Sequence, residues 1–111
     1  MGKPVLLKTQ ADFDAFRTSK SYQGPTIRIR VRHGANQNIR FGFIIPKKLV
    51  PKAVARNLLK RRIKAAFLKL APKLKPADIL FFPRSQALTK KFSDLESEIK
   101  SVCTNARLWK F

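Results

Sequence analysis

A chain of 111 residues is enough for one domain with a modest core, and a hydrophobic share of 44% is ordinary for a globular protein. The charge is not ordinary: 25 Lys and Arg stand against 6 Asp and Glu, a formal net charge of +19. Such an excess repels itself in the folded state and speeds encounter with anions, so nucleic acid is the leading partner and an anionic membrane surface the rival.

A single cysteine, Cys103, excludes an internal disulfide and suits a reducing cytoplasm. The first residues lack the apolar run of a secretory signal, and Leu6 stands where a myristoylation pattern requires Ser or Thr. No stretch nears the roughly 20 apolar residues of a membrane span. The expectation is a soluble cytoplasmic protein with no membrane partner. Its carboxylates gather near the two ends, and between Asp14 and Asp78 there is none. A merely solvated surface mixes both signs, so the central segment reads as a binding surface.

In chain order, residues 1–8 read as a loose lead-in. Thr9 with Asp12 suits a helix N-cap, opening a short helix from Gln10 to about Thr18 with Phe13 and Phe16 on one face. Those rings either pack into the core or leave an edge for stacking on bases. Gly24-Pro25 marks a turn. Thr26–Arg32 is the clearest strand: Ile27, Ile29 and Val31 point one way, and Arg28, Arg30 and Arg32 the other. With no Asp or Glu nearby in sequence, anion binding is favoured over a solvated face for these arginines. His33–Asn38 is a polar connection, and His33 has no ligand-spaced partner for a metal. Ile39–Ile45 is the next strand, ending at Pro46, with Gly42 marking a bulge or a close backbone approach.

Lys47, Lys48 and Pro51 lead into the most basic stretch, Lys52–Phe67. On a helical wheel Leu59, Ile63, Ala66, Phe67 and Leu70 share one face, while Asn57, Lys60, Arg61 and Lys64 fall opposite. Arg56 and Arg62 flank the apolar stripe, with stems along it and heads reaching out. Asn57 either caps the first turn or contacts a base edge, a 2′-hydroxyl or a phosphate. The helix ends before Pro72. Asp78–Phe82 is nearly all apolar and fits a buried strand. Phe92, Leu95, Ile99, Val102 and Cys103 repeat at helical spacing, giving a last helix from about Thr89 to Asn105. Residues 106–111, with Trp109, read as a second loose end. The pattern is a single α+β domain with one sheet. Strands flanking the basic helix are parallel if adjacent, and the ordinary rule makes their crossover right-handed.

No catalytic constellation is visible: the carboxylates that fall in the first and last helices have no His partner, and Ser and Cys lack a base. P-loop, zinc and dinucleotide spacings are missing, so no catalytic residue, protein-bound metal or cofactor is expected. The surface is of an RNA-binding kind, with Lys and Arg for phosphates and aromatics for unpaired bases.

Three segments carry a resemblance: Phe41–Lys48, Lys52–Arg61 and Asp78–Arg84. Together they resemble the bacterial ribonuclease P protein family, whose signature reads R-N-R-x-K-R-x-x-R after a K-K and K-A-V segment. Leu58 replaces the second arginine of that signature, and Lys64 its last. The resemblance implies an α-β-β-β-α-β-α order like that of the second domain of ribosomal protein S5. It also implies a left-handed crossover through the basic helix, against the ordinary rule.

By the same resemblance, a catalytic RNA holds the Mg2+ ions and cleaves precursor tRNA, while the protein is a non-catalytic subunit, a monomer bound 1:1. Lys47, Lys48, Lys52, Arg56, Asn57, Lys60, Arg61 and Lys64 would face the catalytic RNA. Phe13, Phe16, Arg28 and Arg30 would line or support a cleft for the 5′ leader of precursor tRNA. Arg30 stands where many relatives carry an aromatic, which favours phosphate contact over stacking there. The alternative is a structural RNA-binding protein of the ribosome, which shares the charge, size and fold type.

Overall fold

Alternation along one strand decides the layering. In the computed structural model, which describes residues 5–6, 19–33 and 38–110, Ile27–His33 forms a strand whose Ile27, Ile29 and Val31 are buried. The order along the chain is β1 (Val5–Leu6), β2 (Lys20–Gln23), β3 (Ile27–His33), β4 (Arg40–Phe43), α1 (Ala53–Leu70), β5 (Ala77–Pro83) and α2 (Phe92–Asn105). Short 3-10 turns, Ala71–Lys73 and Ser85–Leu88, follow α1 and β5. The five strands form one mixed sheet in the order β1-β4-β5-β3-β2. The basic helix thus joins β4 to an adjacent parallel strand, β5, while β3 pairs antiparallel with both β5 and β2. The expected N-terminal helix with Phe13 and Phe16 lies outside the described residues.

Central position explains why β5 is apolar throughout. It is flanked by β4 and β3, and every residue from Ala77 to Phe81 is buried. Register places Ile79 and Phe81 beside Phe41, Phe43, Val31 and Ile29 on one face, and Asp78, Leu80 and Phe82 on the other. Pairing runs without interruption through Gly42, which sits opposite Leu80, so no bulge forms there. Helices α1 and α2 share the core with the Ile27–Ile29 face. Phe67 of α1 lies 5.1 Å from Phe81 and 5.4 Å from Phe41 between ring centroids, and Phe43 stacks on Phe81 at 5.5 Å. Such contacts add about 0.5–1.5 kcal/mol per pair beyond the area they bury.

One buried carboxylate locks α2 to the sheet. Glu98, almost wholly buried, accepts hydrogen bonds from the Thr26 amide (2.7 Å), the Thr26 hydroxyl (2.6 Å), the Ile27 amide (2.6 Å) and the Lys90 ammonium (2.5 Å). Gly24 leaves room for this carboxylate: a Cβ there would stand 2.6 Å from Glu98 Oε2 and force a shift. At its other end α2 closes with a Schellman motif: Leu108 N–H donates to the Cys103 carbonyl, and Arg107 N–H to that of Thr104. Arg107 occupies the left-handed position of that motif, at φ 56°.

Both ends depart from the sequence expectation. Val5–Leu6 pairs parallel with β4, so part of the lead-in is an edge strand. Residues 106–110 are packed, not loose: Ala106 and Leu108 are buried, and Trp109 bridges to Leu74 while its indole donates to the Thr104 hydroxyl. Leu108 and Trp109 are apolar enough to dock, but two residues carry no periodicity. β2 went unread for a similar reason, since only Tyr22 of Lys20–Gln23 is apolar.

Candidate nucleic-acid interface

Helix α1 contains neither Gly nor Pro from Ala53 to Leu70, and its apolar stripe of Leu59, Ile63, Ala66, Phe67 and Leu70 is buried. That burial offsets a poor start. Lys52 at the N-cap makes no side-chain cap, and no acidic residue lies in the first turn. The positive end of the helix dipole is therefore surrounded by more positive charge, from Lys47, Lys48 and Lys52, all exposed. Anions are attracted to such an end by both the dipole and the unsatisfied amides.

The outward face carries Asn57, Lys60, Arg61 and Lys64, each exposed. Asn57 sits in the second turn, so capping does not explain it. Leu58, where the signature has arginine, is 44% exposed and lies beside this face without charge. The flanking arginines behave differently from the reading that sent their heads into solvent. Arg56 donates through one nitrogen to the carbonyls of Val50 (2.9 Å) and Pro51 (2.8 Å), fixing the approach to the helix. Arg62 donates to the carbonyls of Ala87 (2.9 Å), Leu88 (2.6 Å) and Lys90, clamping the turn after β5. Charge alone does not reveal such a role. Position beside the apolar stripe was the available signal.

Of the second predicted group, Arg28 and Arg30 lie on the sheet face away from α1, while Phe13 and Phe16 lie outside the described residues. Arg28 stacks over the Phe82 ring, 4.4 Å from its centroid. With Gln23, Ile44, Leu49 and Arg84 they line a hollow of 360 Å³. Leu49 follows Lys47 and Lys48 directly, so this hollow adjoins the lysine turn. Arg84 and Phe82 were missed in sequence, although Phe82 shares a face with Arg28 by strand parity. Arg30 is half-buried between Ser21 and Leu80 across the neighbouring strands.

Arg32 is not left without an acid, contrary to the sequence argument. Asp78 arrives opposite it from β5, with Arg32 at 3.6 Å and Arg40 bidentate at 2.9 and 2.8 Å. A carboxylate distant in sequence but adjacent in register balances that end of the arginine row.

Burial pushes the Glu98 carboxyl up, but hydrogen bonds from Lys90, Thr26 and Ile27 outweigh it and hold the group below its ordinary value. Burial alone raises the Cys103 thiol to about 12, outside any nucleophilic range near neutrality. Among the described residues no three His, Cys, Asp or Glu side chains gather to hold a metal, and no helix is long and apolar enough to cross a membrane.

Comparison with known proteins converges. The Ribonuclease P family profile matches residues 1–107. The ribonuclease P protein component of Clostridioides difficile is 32% identical over 99 residues, covering 86% of each chain. That of Chloroflexus aggregans is 33% identical over 111 residues, covering 97% of this chain and 82% of its own. A structure of the Staphylococcus aureus RNase P protein superposes with a TM-score of 0.82 at 22% identity, over 95% of this chain and 97% of that one. The Thermotoga maritima RNase P protein gives 0.79 at 23% identity, over 89% and 94%. At those identities the two structures speak to the fold.

Proposed function

The chain belongs to the ribonuclease P protein family, and from that premise we propose that it is the RNA-binding subunit that assists the catalytic RNA in cleaving the 5′ leader from precursor tRNA in the cytoplasm. The observation that carries this reading is the outward face of α1: Asn57, Lys60, Arg61 and Lys64 are all exposed on a helix whose opposite face is core.

Phosphates of the catalytic RNA meet Lys60, Arg61 and Lys64 along the helix, and Lys47, Lys48 and Lys52 at its positive end. Arg61 adds a planar fork for two phosphate oxygens, which Lys64 lacks. Asn57 supplies both donor and acceptor, suited to a base edge or a 2′-hydroxyl. Arg56 holds the turn at Val50 and Pro51 so that Lys52 and Lys48 stay beside the helix. The leader lies on the other side of the sheet, its phosphates on Arg28, Arg30 and Arg84, together with Phe13 and Phe16. The protein donates no proton and holds no metal in this scheme; Mg2+ belongs to the RNA, one protein binding one RNA.

Reconstitution tests it. Adding the protein to the cognate catalytic RNA should lower the Mg2+ concentration needed to cleave precursor tRNA. A protein that binds structured RNA yet leaves cleavage at low Mg2+ unchanged would favour the ribosomal reading and overturn this one.

A further inference from the structure

A second cationic concavity lies away from both surfaces described above. It has a volume of 490 Å³ and is lined chiefly by Lys20, Tyr22, Arg32, Lys75 and Arg107. No lining residue belongs to α1 or to the hollow around Arg28 and Phe82, and none of the described lining residues is acidic. Lys20, Lys75 and Arg107 are exposed, while Arg32 keeps 40% of its side chain accessible despite its approach to Asp78. Tyr22 is half-buried, its ring packed on the core and bordering the groove.

Four separate parts of the chain supply these cations: the β2 edge, the end of β3, the connector after α1, and the end of α2. Bringing them together costs repulsion that no acid among the described lining residues offsets. Arg107 sharpens the point. The left-handed position of a Schellman motif is ordinarily Gly, which adopts it without the cost a Cβ imposes. Here it is Arg, at φ 56°, and its side chain borders the groove. A guanidinium stands where the left-handed backbone favours glycine, beside two lysines and the only tyrosine in the chain.

We propose that this groove binds a short stretch of single-stranded RNA, with phosphates on Lys20, Lys75 and Arg107 and a base or ribose against Tyr22. The groove's volume falls within the roughly 300–1,000 Å³ of small-ligand sites, room for about one nucleotide. Stacking on one aromatic ring with flanking cations is sequence-tolerant binding. This proposal rests on the RNA-binding reading and adds to it: the protein would hold RNA at a third place, beyond the end of α2.

Arg107→Gly tests it without risk to folding, since it removes the cation and relieves the backbone. The full-length variant should melt higher than the wild type. Its affinity for a fluorescent single-stranded hexaribonucleotide should fall about threefold to tenfold, with the salt slope shallower by about one ion. In the wild type the hexaribonucleotide should also shift the single tyrosine resonance, and that shift should weaken in Arg107→Gly. Lys100→Ala, an exposed lysine of α2 outside the groove, controls for bulk charge. Equal weakening by Lys100→Ala and Arg107→Gly, or a tyrosine signal that ignores RNA, overturns the groove. Arg61→Ala separates the two ideas when tested on the catalytic RNA. If it weakens binding while Arg107→Gly leaves hexaribonucleotide affinity intact, the groove falls and the α1 reading stands; if neither variant weakens its RNA, both fall.

Discussion

Glu98→Gln keeps size and shape and removes one charge from the joint between α2 and the sheet. Its Oε2 receives two backbone amides, Thr26 and Ile27, and its Oε1 receives the Thr26 hydroxyl and Lys90. The amide oxygen of Gln can replace Oε2, and the Thr26 hydroxyl can turn to accept. Lys90 then meets an NH2 group, donor against donor, with only 25% of its side chain in solvent. Losing a charge-assisted hydrogen bond of this kind costs about 2–3 kcal/mol. For a domain of this size that is on the order of 10 °C in melting temperature. The pH dependence has a definite sign. Because the folded carboxyl titrates below its unfolded value, its stabilisation is present above the ordinary carboxylate range and is lost as pH falls through the folded pKa. Thermal melts of wild type and variant from pH 7 to pH 3 should therefore differ most near neutrality and converge in acid. A constant gap across that range, or coincident melts at pH 7, would refute the reasoning.

Leu59→Ala and Arg61→Ala should part company: the first empties core beneath α1 and costs about 2–5 kcal/mol in a denaturant titration, while the second leaves the melt in place and weakens binding to the catalytic RNA, lowering its salt slope by about one. Gly24→Ala would set a Cβ 2.6 Å from Glu98 Oε2, so it should destabilise by about 1–3 kcal/mol, with little further loss when combined with Glu98→Gln. Arg62→Met retains the stem but releases the carbonyls of Ala87, Leu88 and Lys90; amide exchange of the Ser85–Leu88 turn should quicken, with catalytic-RNA affinity nearly unchanged. An Arg62→Met variant that loses RNA binding as severely as Arg61→Ala would show that Arg62 also faces the RNA.

Local periodicity made much of this molecule readable before any coordinates. The alternation in β3 and the wheel of α1 sorted core from surface correctly, because both elements bury one face and expose the other. Leu59, Ile63, Ala66, Phe67 and Leu70 are all buried, as the wheel requires. What stayed hidden depended on pairs far apart in sequence. Asp78 meets Arg32 and Arg40 through strand register, and Glu98 reaches Thr26 across 72 residues. Arg62 looked like one more surface cation because its partners are backbone carbonyls, which no composition reveals. The edge strand Lys20–Gln23 escaped for want of apolar residues. Phe13 and Phe16 lie outside the described residues.

Cys103 gives the molecule a built-in clock. The thiol is buried at the last turn of α2 and titrates near 12, so a thiol reagent reaches it at neutral pH only when that helix detaches and the group regains its ordinary acidity. It is also the single thiol in the chain, so each molecule can react once. Labelling rate then counts openings of α2 directly, under native conditions and without denaturant. Any polyanion that binds the folded form and not the opened one should slow the clock in proportion to the fraction of protein left free. RNA occupancy becomes measurable in this way without placing a label at any of the surfaces where RNA would sit.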